Sequence, residues 1–134
     1  MKLIVCLDNK QGMLFNHRRQ SRDRHLIADL VMHVEGKPLY ITDYSKPLFD
    51  GQSLDLRVVD DPIGAAKNGD YCLLETFDPA PYADRIDELV IYRWNRHYPA
   101  DVYFTLSLDA YTLESSVELV GSSHEKITKE VWKK

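Results

Sequence analysis

Between Arg18 and Arg24 four arginines, Arg18, Arg19, Arg22 and Arg24, accompany a single carboxylate, Asp23. Guanidinium groups match phosphate and carboxylate bidentately, so such a cluster on a loop turning into a helix could close on one anion. The amides at the helix start would assist, with Asn16 alongside. The alternative is a solvated loop whose arginines pair with surface acids. Asp23 itself stands four residues before Ile27, on an apolar stripe. It reads either as a first-turn acid stabilised by the helix dipole or as a catalytic carboxylate that orients a ligand. Flanked by Arg22 and Arg24 it would stay ionised, which suits a cationic or amino group. Farther on, Arg93-Trp94-Asn95-Arg96-His97 offers a second polar cluster, in which Arg93 could add charge and Trp94 could stack on a ring.

Other reactive residue types are more scattered. His25, Asp29 and His33 recur at helical spacing, which can aim imidazoles at one metal but equally makes a solvent-facing ladder. Ser122, Ser123 and His124 invite a nucleophile, yet with no acid at a matching spacing they read as turn residues. Cys6 and Cys72 each lie in an apolar run with no histidine nearby, and are expected to be packed and inert.

The elements that must position these groups follow from hydrophobic patterning. Leu3 to Leu7 is a continuous apolar run, as in a strand buried on both faces. Asp8 to Gln20 reads as a long loop, of the kind that often carries function. A helix is expected from a cap near Ser21, with Leu26, Ile27, Leu30, Val31 and Val34 on one stripe, ending at Gly36. Leu39–Thr42, Leu54–Val59, Tyr71–Leu74 and Glu88–Trp94 read as further strands. A short helix opens at Asp60-Asp61-Pro62, and Pro79 to Arg85 makes a turn or short helix. Val102–Phe104, Val117–Val120 and Ile127–Trp132 then read as antiparallel strands. Alternating strands and helices followed by strands alone predict a mostly parallel α/β sheet with antiparallel strands at one edge.

Composition bounds the rest. The chain has 134 residues, 44% of them hydrophobic and 28% charged, which suits one domain over residues 1–134. No apolar run approaches the length of a membrane span, and two unspaced cysteines fit a reducing, cytoplasmic setting. A net charge of −4 argues against an extended nucleic-acid surface. A discrete anion site stays open.

Ile4-Val5 followed by Gly12-Met13 and Asn16 resembles the opening of the dihydrofolate reductases, where the first strand runs into the active-site loop. Gly36-Lys37-Pro38-Leu39-Tyr40-Ile41 is similar to that family's second-strand entry. Ala83-Asp84 with Glu88-Leu89-Val90-Ile91-Tyr92-Arg93 resembles its penultimate helix and following strand. Asp101-Val102-Tyr103-Phe104 falls at the spacing of its Gly-Asp-x-x-Phe-Pro segment. The resemblance implies a dihydrofolate reductase-like fold and places Asp23 where the family's pterin-contacting carboxylate stands. Departures are as specific. The family's Gly-(Arg/Lys)-x-Thr turn is here Thr42-Asp43-Tyr44-Ser45, and its Gly-Gly pair opening a helix is Glu75-Thr76, so binding of NADPH is not expected. The string Phe15 to Arg24 is also similar to short bacterial proteins carrying a ribonuclease Z label. The zinc-binding His-x-His-x-Asp-His cluster of true ribonuclease Z is absent, because His17, His25, His33, His97 and His124 stand singly.

In the resembled fold Asp8, Asp43 and Glu75 fall at the carboxyl ends of neighbouring strands, ~5 Å apart. They are either strand-end caps or an oxygen-rich site for Mg²⁺ or Mn²⁺. Three functions are therefore carried forward. The first is a binding protein, or an enzyme without nicotinamide, that takes a small anionic or nucleotide-like ligand on Asn16, Arg18, Arg19, Arg22, Arg93 and Trp94, with Asp23 orienting it. The second is a pterin-type oxidoreductase, and the third a phosphodiesterase using the three carboxylates and a divalent cation.

Overall fold

A computed structural model describes residues Met1–Lys134. In chain order its elements are β1 (Lys2–Leu7), β2 (Gly12–Phe15), β3 (Arg18–Arg19), α1 (Arg24–His33), β4 (Leu39–Ile41), β5 (Leu56–Val58), α2 (Pro62–Ala65), β6 (Tyr71–Leu73), β7 (Glu88–Arg93), β8 (Val102–Tyr103), β9 (Thr112–Leu119) and β10 (Ile127–Lys133). Two 3-10 segments, Asp43–Phe49 and Ala80–Arg85, follow β4 and precede β7.

Seven strands form one sheet in the order β5-β4-β6-β1-β7-β10-β9. The first five are mutually parallel, and β10 and β9 add antiparallel at the β7 edge. This is the α/β arrangement that the alternation of elements predicts. Strand β1 lies between β6 and β7, with Leu3 opposite Cys72 on one side and Leu89 on the other. Period-two alternation then divides the core. Leu3, Val5 and Leu7 join Leu89 and Ile91 on one face. Ile4 joins Val90, Tyr92 and Trp94 on the other, beneath Leu26, Ile27 and Leu30 of α1.

Three expectations change. The stretch from Asp8 to Gln20 is a hairpin rather than an open loop: β2 pairs antiparallel with β3, and β8 pairs with the other side of β2. Its turn is Asn16-His17, both with positive φ (50° and 61°), the backbone of a two-residue primed turn that follows the twist of the flanking strands. Val102-Tyr103 accordingly belongs to this small sheet and not to the main one. Helix α1 begins at Arg24 with Asp23 as its cap, in extended backbone at φ −147°, not at Ser21. No helix is long and apolar enough to cross a membrane.

Candidate functional site

The carboxylate of Asp23 is the centre of the best-built polar site. As the cap of α1 it accepts the amides of His25 (2.9 Å) and Leu26 (3.2 Å) on Oδ1, which satisfies two of the helix's free N–H groups. The turn between β9 and β10 closes over it from the far end of the chain. The Ser122 amide donates to Oδ1 at 3.0 Å, and the Ser123 amide to Oδ2 at 2.9 Å. His124 Nδ1 lies 3.0 Å from Oδ2. Gly121 permits this approach, since a Cβ there would stand 2.5 Å from Oδ2 and 2.6 Å from the His124 carbonyl. Burial works against the charge, but the Ser122 and Ser123 amides, the His124 ring and the Leu26 amide outweigh it and hold the carboxyl far below the usual carboxylate range. Backbone amides and an imidazole do this, not the flanking Arg22 and Arg24.

With the ionised Oδ2 at Nδ1, His124 carries its proton there and presents Nε2 as an acceptor. Two hydroxyls meet that nitrogen: Tyr98 at 2.9 Å and Ser21 at 3.1 Å. Trp94 stacks on the imidazole, centroids 4.6 Å apart and planes 27° from parallel. Trp94 is therefore engaged by the protein's own ring and buried, not open to stack on a ligand. Sequence reading missed that Asp23 is the acid for His124. The two are 101 positions apart, and only the sheet topology joins them.

The arginines do not converge. Arg18 and Arg19 are successive residues of β3, so their side chains leave on opposite faces. Arg19 turns inward and grips Glu75 through Nε (2.6 Å) and Nη2 (2.9 Å), beneath the Tyr44 ring. The hydrogen bond to Glu75 holds the Arg19 guanidinium above its ordinary range against the opposing effect of burial. Glu75 also accepts the Ser45 hydroxyl at 2.6 Å. Arg22 donates to the Pro47 carbonyl at 3.1 Å, and Arg93 is tied to Glu130 and Gln11. Of the expected anion ligands, Arg19 and Arg93 are thus committed to their own chain, while Arg18 remains at the surface beside Asn16.

The three carboxylates expected to hold Mg²⁺ or Mn²⁺ do not form a metal-binding group. Asp8 is buried and spends its oxygens on the amides of Lys10 and Gly12 (2.8 Å each) and on Gln20 Nε2 (3.0 Å). Glu75 is saturated by Arg19 and Ser45, and Asp43 lies exposed at the start of a 3-10 segment. The helical His25, Asp29 and His33 are likewise dispersed. Asp29 accepts the Tyr92 hydroxyl and pairs with Lys129, His25 meets the Val120 carbonyl, and His33 packs edge-on against Tyr71. Burial, reinforced by Glu75, raises the Cys6 thiol far above its normal range, and burial with Asp61 pushes Cys72 up to about 12. Neither forms a thiolate nucleophile.

Two concavities flank the hairpin. The inner one, between α1 and the sheet, is walled by Cys6, Met13, Arg19, Ser21, Arg22, Asp23, Leu26, Ile27, Leu48, Leu74, Glu75 and Trp94, and encloses only about 30 Å³. That is room for a water or two, and far from the volume of a drug-sized ligand. The outer one is a cleft of about 330 Å³ lined by Phe15, Asn16, Arg18, Arg19, Gln20, Tyr98 and Pro99. Gln20 Nε2 is fixed by two acceptors, Asp8 Oδ2 and the Pro99 carbonyl, which orients its amide and leaves the buried Oε1 without a donor.

No family model and no curated protein matches this chain by sequence. Its architecture does match solved structures. A dihydrofolate reductase from Enterococcus faecalis, complexed with NADP(H) and RAB-propyl, superposes at a TM-score of 0.69 over 98% of this chain and 94% of that one, with 8% sequence identity. At that identity the likeness is one of fold, and the chain has a dihydrofolate reductase-like α/β fold.

Proposed function

We propose that the chain binds a small anionic, nucleotide-like ligand in the outer cleft, between the β2–β3 hairpin and the Tyr98-Pro99 segment, and that it does so without a nicotinamide cofactor. The observation that carries this reading is an Arg18 guanidinium that meets no carboxylate, standing in one cleft with Asn16, Gln20 and two aromatic rings. Arg18 suits the anion, and the rings of Phe15 and Tyr98 supply apolar walls. The cleft's volume lies at the lower end of what small-molecule sites occupy.

The absence of NADPH from this function rests on side-chain placement and volume. Glu75, bound by Arg19 and Ser45, follows β6 where the resemblance puts a phosphate-cradling glycine pair, so an ion pair with its side chains stands where free amides would meet a phosphate. The inner cavity, where a pterin-type reductase would hold its substrate, is too small for a fused ring. Thermal-shift measurements with inorganic phosphate, adenosine monophosphate and NADPH test both parts, because a ligand held only by the folded state raises its melting temperature, by about 2.7 kcal/mol of stability at a hundredfold excess over Kd. Adenosine monophosphate should stabilise more than phosphate, and Arg18→Gln should abolish both shifts while leaving the unliganded Tm unchanged. Shifts that survive Arg18→Gln would overturn the site. Stabilisation by NADPH beyond that by adenosine monophosphate, retained in the variant, would overturn the cofactor statement.

A further inference from the structure

In the hydrogen-bonded series Ser21, His124, Asp23 the two outer members line the inner cavity, and none of the three lines the ligand cleft. Ser21 Oγ is 3.1 Å from His124 Nε2, and His124 Nδ1 is 3.0 Å from Asp23 Oδ2. These are the contacts and the order that activate a serine hydroxyl: an acceptor nitrogen at the hydroxyl, and an ionised acid at the opposite nitrogen that fixes the tautomer. His124 and Asp23 are buried, whereas Ser21 is only half-buried and lines the cavity. The one member that must meet a substrate is thus the one with access to it. A helix cap alone requires neither the imidazole nor a hydroxyl on its far nitrogen.

We propose that Ser21 is a nucleophile that accepts a small acyl group, with His124 as its general base and Asp23 as the positioning residue. Ser21 Oγ attacks the carbonyl carbon of an activated acyl compound as its proton passes to His124 Nε2. The bond from that carbon to the leaving group breaks, and the leaving group departs with the proton, returning the imidazole to neutrality. Water, deprotonated by the same nitrogen, then adds to the acyl carbon, the bond to Ser21 Oγ breaks, and a carboxylic acid leaves as the hydroxyl is restored. Arg22 lines the same cavity and its guanidinium is directed to the Pro47 carbonyl rather than to a carboxylate, so it supplies positive charge for the oxyanion. The cavity's volume of about 30 Å³ limits the acyl group to the acetyl class.

The probe is p-nitrophenyl acetate added to the full chain. The expected result is a burst of p-nitrophenolate equimolar with protein and one acetyl group located by tandem mass spectrometry on Ser21. Ser21→Ala should lose both while keeping the wild-type Tm, since only a half-buried hydroxyl is removed. The groups against His124 are Asp23 and Ser123 at Nδ1, Tyr98 and Ser21 at Nε2, and the Trp94 ring on its face. If Asp23 fixes the tautomer, then in Asp23→Asn the acylation rate should be far lower and should keep climbing with pH where the wild-type rate has levelled, because hydroxide then replaces the base. Should Asp23→Asn fail to fold, the Ser21→Ala comparison decides alone. Absence of a burst, a burst undiminished in Ser21→Ala, or acetylation confined to lysines or Tyr98 would overturn the proposal. Loss of the burst in Ser21→Ala leaves the Arg18 reading untouched, because Ser21 does not line the outer cleft.

Discussion

Asp23 joins a helix start to a turn near the other end of the chain, and its worth to the fold can be tested separately from any chemistry. Asparagine caps helices about as well as aspartate, so Asp23→Asn preserves the Oδ1 contacts to His25 and Leu26. It places an N–H₂ where Oδ2 receives the Ser123 amide and His124, setting donor against donor in a buried site. The expected loss is about 3 kcal/mol, the scale of breaking a buried charged pair. The sign of its pH dependence follows from the depressed carboxyl pKa. Stability from Asp23 is fully present above the ordinary value of 3.8 and declines as pH falls below it, because the unfolded chain then binds the proton first. Denaturant titrations should therefore show a constant gap between wild type and Asp23→Asn above about pH 5, narrowing at lower pH. A gap that widened on acidification would contradict the assignment. Local pattern puts the cap near Ser21 and Asp23 in the first turn, whereas the structure chooses Asp23 as the cap. The choice is made by the Ser122 and Ser123 amides, which are invisible to any local pattern.

At the scale of the element, the β2–β3 hairpin is held to the sheet through Arg19. Its strands are four and two residues long, and an isolated hairpin is at best marginally stable. The bidentate Arg19–Glu75 pair is mostly buried, with side chains 22% and 12% exposed. Arg19→Gln leaves the Glu75 carboxylate partly desolvated and should cost about 1–3 kcal/mol. Arg22→Gln removes only an exposed bond to a carbonyl and should fall within about 0.5 kcal/mol of wild type. Chemical denaturation of the two single variants separates them, and equal effects would show that the hairpin is not anchored as described. Sequence patterning gave four equivalent arginines because charge runs carry no direction. Strand alternation divides Arg18 from Arg19, but β3 itself was illegible: two residues make no pattern, and Asn16-His17 lacks the glycine that usually marks a primed turn. The long apolar strands β1 and β7 and the stripe of α1 were legible for the opposite reason, since burial on both faces makes a strand a continuous apolar run and burial on one face gives a helix a 3.6-residue period, each over many residues.

For the whole molecule, the central question is whether the two faces of the sheet unfold as one. Strand β1 contributes Leu3, Val5 and Leu7 to one core and Ile4 to the other, and its neighbours β6 and β7 are both distant in sequence. Neither face can lose its strands without exposing the other, which is the condition for a cooperative transition. The chain carries its own reporters. Trp94 is buried in the cluster under α1, whereas Trp132 packs against the opposite cluster from β10. In Trp132→Phe fluorescence reports only the α1 face, and in Trp94→Phe only the other. Each substitution changes stability, so the comparison is made within a variant, between fluorescence and far-ultraviolet circular dichroism along one urea series. Coincident midpoints are expected in both. In Trp94→Phe, fluorescence of Trp132 changing at lower urea than the dichroism would mean that β9 and β10, joined to the parallel strands only along β7, peel away first. The turn that closes on Asp23 would leave with them, and acylation of Ser21 should then be lost at urea concentrations where most of the sheet is still folded.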